Sequence, residues 1–147
     1  MACSSRHEEI LECIKREIES NINDPYLAAD VTIEDLGEES QPAFGITVVP
    51  MGETEQVGTN ERDDIDYITH VIRTIHALGS DDRKAKSEFR VNMRTTFHNK
   101  RIKCSSDCYM YSRVDFGDFA IPRAWKSENK SVSVVRIRTL VRESRSC

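Results

Sequence analysis

No stretch of this 147-residue sequence approaches the roughly 20 consecutive apolar residues of a membrane-spanning helix, and no such span is expected. Glu8, Glu9 and Glu12 stand where a secretory leader would carry its apolar core, so an intracellular, soluble protein is expected. Aromatic residues make up only 7% of the chain, and six glycines and four prolines are spread without repeats or low-complexity tracts. What is present, 38% hydrophobic and 31% charged residues, suits one globular domain over residues 1–147. A chain of this length buries about two thirds of its unfolded surface, enough for a core without metal or disulfide staples.

Cysteine is sparse and odd in number. The five residues, at positions 3, 13, 104, 108 and 147, do not read as a disulfide framework, and reduced thiols are expected. Cys104 and Cys108 have the spacing of half a zinc site, but no second pair of Cys or His stands at ligand spacing, so no metal is expected.

The patterns of catalysis are also missing. There is no phosphate-cradling glycine loop, no nucleophile elbow and no His paired with Cys in a catalytic signature. No catalytic residue and no cofactor is therefore assigned. Asp63, Asp64 and Asp66 could hold a divalent cation for phosphodiester cleavage, but acids in a polar segment are more often solvated.

Positive charge is scarce in the first part of the chain. Residues 1–81 hold 5 basic and 18 acidic side chains, whereas residues 82–147 hold 16 basic and 7 acidic ones. The two parts either cancel within one molecule or dock the acidic face of one subunit on the basic face of the next.

Periodicity supplies the elements. Ile10, Ile14 and Ile18 recur at four-residue intervals after a capping-box spacing from Ser5 to Glu8, which predicts a helix ending between Asn21 and Pro25. Val31 with Ile33, and Ile46 to Val49 before Pro50, predict two strands, the second ending at the proline or carrying it on an edge. Residues 51–64, with five acids against one arginine, read as a long exposed loop or hairpin tip suited to interaction. Ile65 to Leu78 reads as a central strand, with Ile65, Tyr67, Val71 and Ile75 on one face and Ile68, His70, Ile72, His76 and Leu78 on the other.

Ala85, Phe89, Met93 and Phe97 then mark a helix with a basic outer face, capped at Ser80 or Asp81. A strand is expected from Ile102 through Tyr111 to Val114, followed by a turn at Asp115 to Asp118 and an irregular connection around Ile121, Pro122 and Trp125. The last element, Lys130 to Arg142, is a long strand with Val135, Ile137 and Val141 on one side. Its other side carries Val132, Val134 and Leu140 with Arg136, Arg138 and Arg142, and Glu143 to Cys147 should be a loose tail. The fold class that satisfies these patterns is α+β, a mostly antiparallel sheet packed with two main helices.

The opening helix, ITVVPMGETEQ, DYITHVIRTI, the helix leading into RTTFHNKRI, and the closing SVSVVRIRTLVRES resemble the small neck and tail-terminator proteins of tailed bacteriophages. The likeness spans residues 5–143 and is one of layout; extra length between Cys104 and Trp125 departs from it. It implies a virion protein, a homo-oligomeric and commonly hexameric ring joining the tail tube protein to the head connector, with DNA passing through its lumen without specific binding. On that reading Glu53, Glu55, Asp63, Asp64 and Asp66 would contact a basic surface of a neighbour. Arg83, Lys84, Lys100, Arg101 and Lys103 would form the complementary face. The alternatives are a small nucleic-acid-binding module using the basic second half, and a metal-dependent nuclease.

Overall fold

The structure, a computed structural model, describes residues 6–21, 31–34, 45–56, 62–76, 82–105, 108–115 and 130–144. Two helices, α1 (Arg6–Asn21) and α2 (Asp82–Phe97), accompany six strands: β1 (Val31–Ile33), β2 (Gly45–Gln56), β3 (Arg62–His76), β4 (Lys100–Ser105), β5 (Cys108–Asp115) and β6 (Lys130–Ser144). The strands form one sheet in the order β1-β2-β3-β6-β5-β4, antiparallel throughout except for the β1–β2 pair. The α+β class expected from the periodicity is the class observed.

Helix α1 forms where the four-residue isoleucine spacing puts Ile10, Ile14 and Ile18 on one stripe, and all three are buried with Leu11. Burying one such side chain contributes about 1.5–3 kcal/mol, so this stripe is the main force holding the helix to the sheet. Phe89, Met93 and Phe97 do the same for α2. That helix stops at Asn99, whose φ of 55° is a left-handed conformation that asparagine adopts more readily than most residues. The Ser112 hydroxyl of β5 donates to the Phe97 carbonyl at 2.5 Å, tying the end of α2 to the sheet.

The strands sort cleanly by alternation. Tyr67 and Val71 of β3, Val135, Ile137 and Val141 of β6, and Met110 and Val114 of β5 share the main core with both helices. Val49, Ile72, Val132 and Val134 make a second, smaller buried cluster on the opposite face. The face assignments expected for Tyr67, Val71, Ile72 and the closing strand agree with this division.

Three expectations are corrected. Of the loop or hairpin expected over 51–64, the loop is corrected and the hairpin holds: β2 continues to Gln56 and pairs antiparallel with β3, which begins at Arg62, and only 57–61 lie outside the described residues. Polar residues hold this arm because the backbone ladder runs through it, pairing Glu53 with Tyr67 and Glu55 with Ile65. The chain passes Pro50 with a register shift before Gly52, at a point where β1, paired only with Ile46 to Val48, no longer flanks it. The single strand expected over 102–114 is two antiparallel strands, β4 and β5; residues 106–107 between them lie outside the described residues. Finally, Glu143 and Ser144 are not loose: they pair with Asp63 and Arg62 as the end of β6. The capping residues Ser5, Ser80 and Asp81, the segment 116–129 and the tail 145–147 lie outside the described residues.

Candidate functional site

The strand order answers the question the charge pattern raised. Strands from the acidic part of the chain occupy one side of the sheet and strands from the basic part the other, so they do not interleave. β1–β3 carry Glu53, Glu55, Asp63, Asp64 and Asp66 against Arg62 and Arg73. β4–β6 carry Lys100, Arg101, Lys103, Arg113, Lys130, Arg136, Arg138 and Arg142 against Asp115 and Glu143. Within the sheet the acidic strand residues of β2 and β3 lie on one side and the basic ones of β4 to β6 on the other, whereas α1, with Glu8, Glu9, Glu12, Glu17 and Glu19, packs against strands of both sides.

The two halves meet at one seam, between β3 and β6. Asp66, buried in β3, accepts from both Nε (3.0 Å) and a terminal nitrogen of Arg138 on β6. Asp64 stands opposite Arg142, and His70 opposite Arg136, along the same register. Burial, and secondarily the Arg136 charge, push the His70 imidazole below its ordinary value of 6.5, so it is neutral at pH 7. Of the acids expected to contact a neighbour, Asp66 has its carboxylate held by Arg138 inside the molecule. Sequence reasoning missed this pair because its partners lie 72 residues apart.

The other acids divide between paired strands. Glu53 is exposed on β2; Glu55 lies opposite Ile65, and Asp63 opposite Glu143. The basic set is split more widely. Arg83 and Lys84 sit in the first turn of α2, in the helix layer, whereas Lys100, Arg101 and Lys103 are exposed on β4, the edge strand.

On β4 and β5 the structure brings together residues that sequence reasoning did not group. Arg101 is opposite Tyr111 and Lys103 opposite Tyr109. The Arg101 guanidinium lies 4.1 Å from the Tyr109 ring centroid and 5.8 Å from that of Tyr111, with the Lys103 ammonium 5.9 Å from Tyr109. Tyr111 is 56% exposed, and Arg113 continues the row outward. The clue was the alternation Cys108, Met110, Ser112 and Val114, all buried, with Tyr109, Tyr111 and Arg113, all exposed.

The cysteines correct a further expectation. Cys13 of α1 and Cys104 of β4 are joined in a disulfide with Cα atoms 5.3 Å apart. Arg16 of α1 also donates to the Cys104 carbonyl at 3.0 Å. A separation of 91 residues hid the pair; packing α1 over the inner face of β4 brings it together. Cys104 is therefore no partner of Cys108 in a half-site for zinc, and Cys108 is buried and outside the disulfide. Among the described residues no three His, Cys, Asp or Glu side chains group as metal ligands. No helix there is long and apolar enough to cross a membrane.

An open polar groove between the helices, lined by Glu17, Asn21, Asn92, Thr95 and Thr96, spends its polar groups on its own helices. Asn21 donates to Glu17, Thr95 to the Val91 carbonyl and Thr96 to the Asn92 carbonyl. Compared with known proteins, the chain matches no family model and no curated protein.

Proposed function

We propose that the chain is a structural subunit that assembles head to tail with copies of itself into a ring, acting as a neck or tail-terminator protein of a tailed phage. The ring would join the tail tube to the head connector and leave a lumen for DNA, which places the protein in the virion, after assembly in the host cytoplasm, with no reaction of its own. The observation that carries the reading is the charge polarity across an open sheet. An edge strand offers unpaired backbone groups to another chain. If two copies met β4 to β4, the basic cluster Lys100, Arg101 and Lys103 of each would be brought against that of the other, and like charges set opposite each other on paired strands are destabilising. A head-to-tail arrangement instead sets the basic half of one copy against the acidic half of the next. Repeated heterologous contacts of this kind close into rings when the rotation permits. The sequence likeness described above adds the place of such a ring; the layout of helix, three strands, helix and three strands is compatible with it.

The test is the mass of the purified full chain by native mass spectrometry, alone and mixed with tail-tube and connector proteins. Closed assemblies of several copies, or complexes with those partners, are the expected result. A strict monomer that ignores them and turns over a substrate would overturn the reading.

A further inference from the structure

We propose that the face of the β4–β5 hairpin turned away from the helices binds single-stranded nucleic acid without sequence preference, through Arg101, Lys103, Tyr109, Tyr111 and Arg113. This goes beyond the ring reading and stands without it. Side chains of a strand project perpendicular to the sheet, so these residues line its face; Arg101 and Lys103 are shared with the basic side that the ring reading sets against the next copy, whereas Tyr109, Tyr111 and Arg113 lie one strand in from the edge, on β5. The chemistry on this face is that of a stacking platform. Two tyrosines at alternate positions of β5 are exposed, and a guanidinium already lies against both rings. Unstacked bases recognise aromatic rings and guanidinium planes of this kind, and every base has a face to stack.

The phosphates have partners too. Lys103 and Arg113 flank the tyrosines, and the next strand brings Arg138 into register with Arg113 and Arg136 with Asp115. The described acids on this side of β5 and β6 are few: Asp115 lies 4.0 Å from Arg136, and Asp66 is held by Arg138. Among the described residues the charge over the hairpin is therefore mainly positive, although the whole chain has a formal charge of −4. An acidic segment of another protein would satisfy the cations but would leave the paired rings without a stacking partner, so a nucleic acid fits the face better.

The experiment is fluorescence anisotropy of a labelled oligothymidylate with the full-length oxidised chain, against a duplex of the same length, over a salt series. The expected result is binding to the single strand that weakens with salt and exceeds binding to the duplex. Tyr111→Ala and Arg101→Ala should each weaken it about tenfold, while Tyr111→Phe, which keeps the ring, retains it. Lys86→Ala, in the helix layer, should change nothing. Circular dichroism confirms that each variant is folded. Absence of binding at low salt, equal binding of duplex, or indifference to Tyr111→Ala and Arg101→Ala would overturn the proposal. So would a loss of self-association in those two variants with oligonucleotide binding unchanged, which would give the face to a second copy instead.

Discussion

The two halves of the sheet are alike in size and charged oppositely. Each has three strands, and each contributes one long central strand to the seam, β3 on one side and β6 on the other, paired over their full 15 residues. The difference lies in what decorates them: carboxylates on the arm of β2 and β3, guanidinium and ammonium groups on β4 to β6. Backbone pairing and the buried inner face hold the halves together and are indifferent to the sign of the outer charges. Beyond the Asp66–Arg138 pair at the seam, the outer charges are proposed to specify how copies meet.

The strongest way to loosen the relation between the halves is to cut the bond from α1 to β4. In the chain-entropy account, a crosslink closing a loop of this size stabilises by about 4.6 kcal/mol, with measured values of about 2–4 kcal/mol more usual. Reduction with dithiothreitol, or Cys13→Ser, should therefore lower the thermal midpoint by several degrees or more. Calorimetry with and without reductant reads it, and an unchanged midpoint would mean that the bond does not form in solution.

The seam itself comes next. Asp66→Ala strands Arg138 beside a vacated, mostly buried site. Losing one partner of a fully buried pair costs about 3–5 kcal/mol, but the Arg138 side chain is 33% exposed, which reduces the expected loss to about 1–2 kcal/mol in urea unfolding. Lysine at Asp66 would report this damage rather than assembly, which is why charge reversal of the acidic arm must leave that residue in place.

The smallest effect sharpens the same seam through pH. His70 has its affinity for protons lowered in the folded state, so the unfolded chain binds more protons as the pH falls below about 6.5. Stability is then lost on acidification through that range, and His70→Gln should flatten this part of the curve relative to the parent. Denaturant midpoints measured between neutral pH and pH 5 compare the two slopes; parallel curves would place the proton elsewhere.

How much of this was legible in the sequence follows from the range over which each signal acts. Ile10, Ile14 and Ile18, or Phe89, Met93 and Phe97, carry their helical spacing within a few turns, and the alternation from Val132 to Val141 marks both faces of β6 directly. Residues 51–56 and 62–64 look solvated when taken alone; what makes them strand is the ladder of β3 with β2 and β6. The same holds for Cys13 with Cys104 and Asp66 with Arg138, whose partners are fixed only by which elements pack together. The charge imbalance was plain from composition, but its meaning depended on the strand order, and the opposite result, alternating acidic and basic strands, would have cancelled it. Arg101, Tyr109 and Tyr111 were visible singly and became a group only when β4 folded back on β5.

Mixing two charge-reversed variants bears most directly on the polarity account. One carries Glu53→Lys with Glu55→Lys, the other Arg101→Glu with Lys103→Glu; each alone sets like charges against like at every head-to-tail contact. Sedimentation velocity at moderate salt should find each variant dissociated and the equimolar mixture assembled, because alternating copies restore opposite charges at both kinds of contact. If both variants assemble as the parent does, or the mixture stays dissociated while the parent assembles, charge across the sheet does not direct how the copies meet.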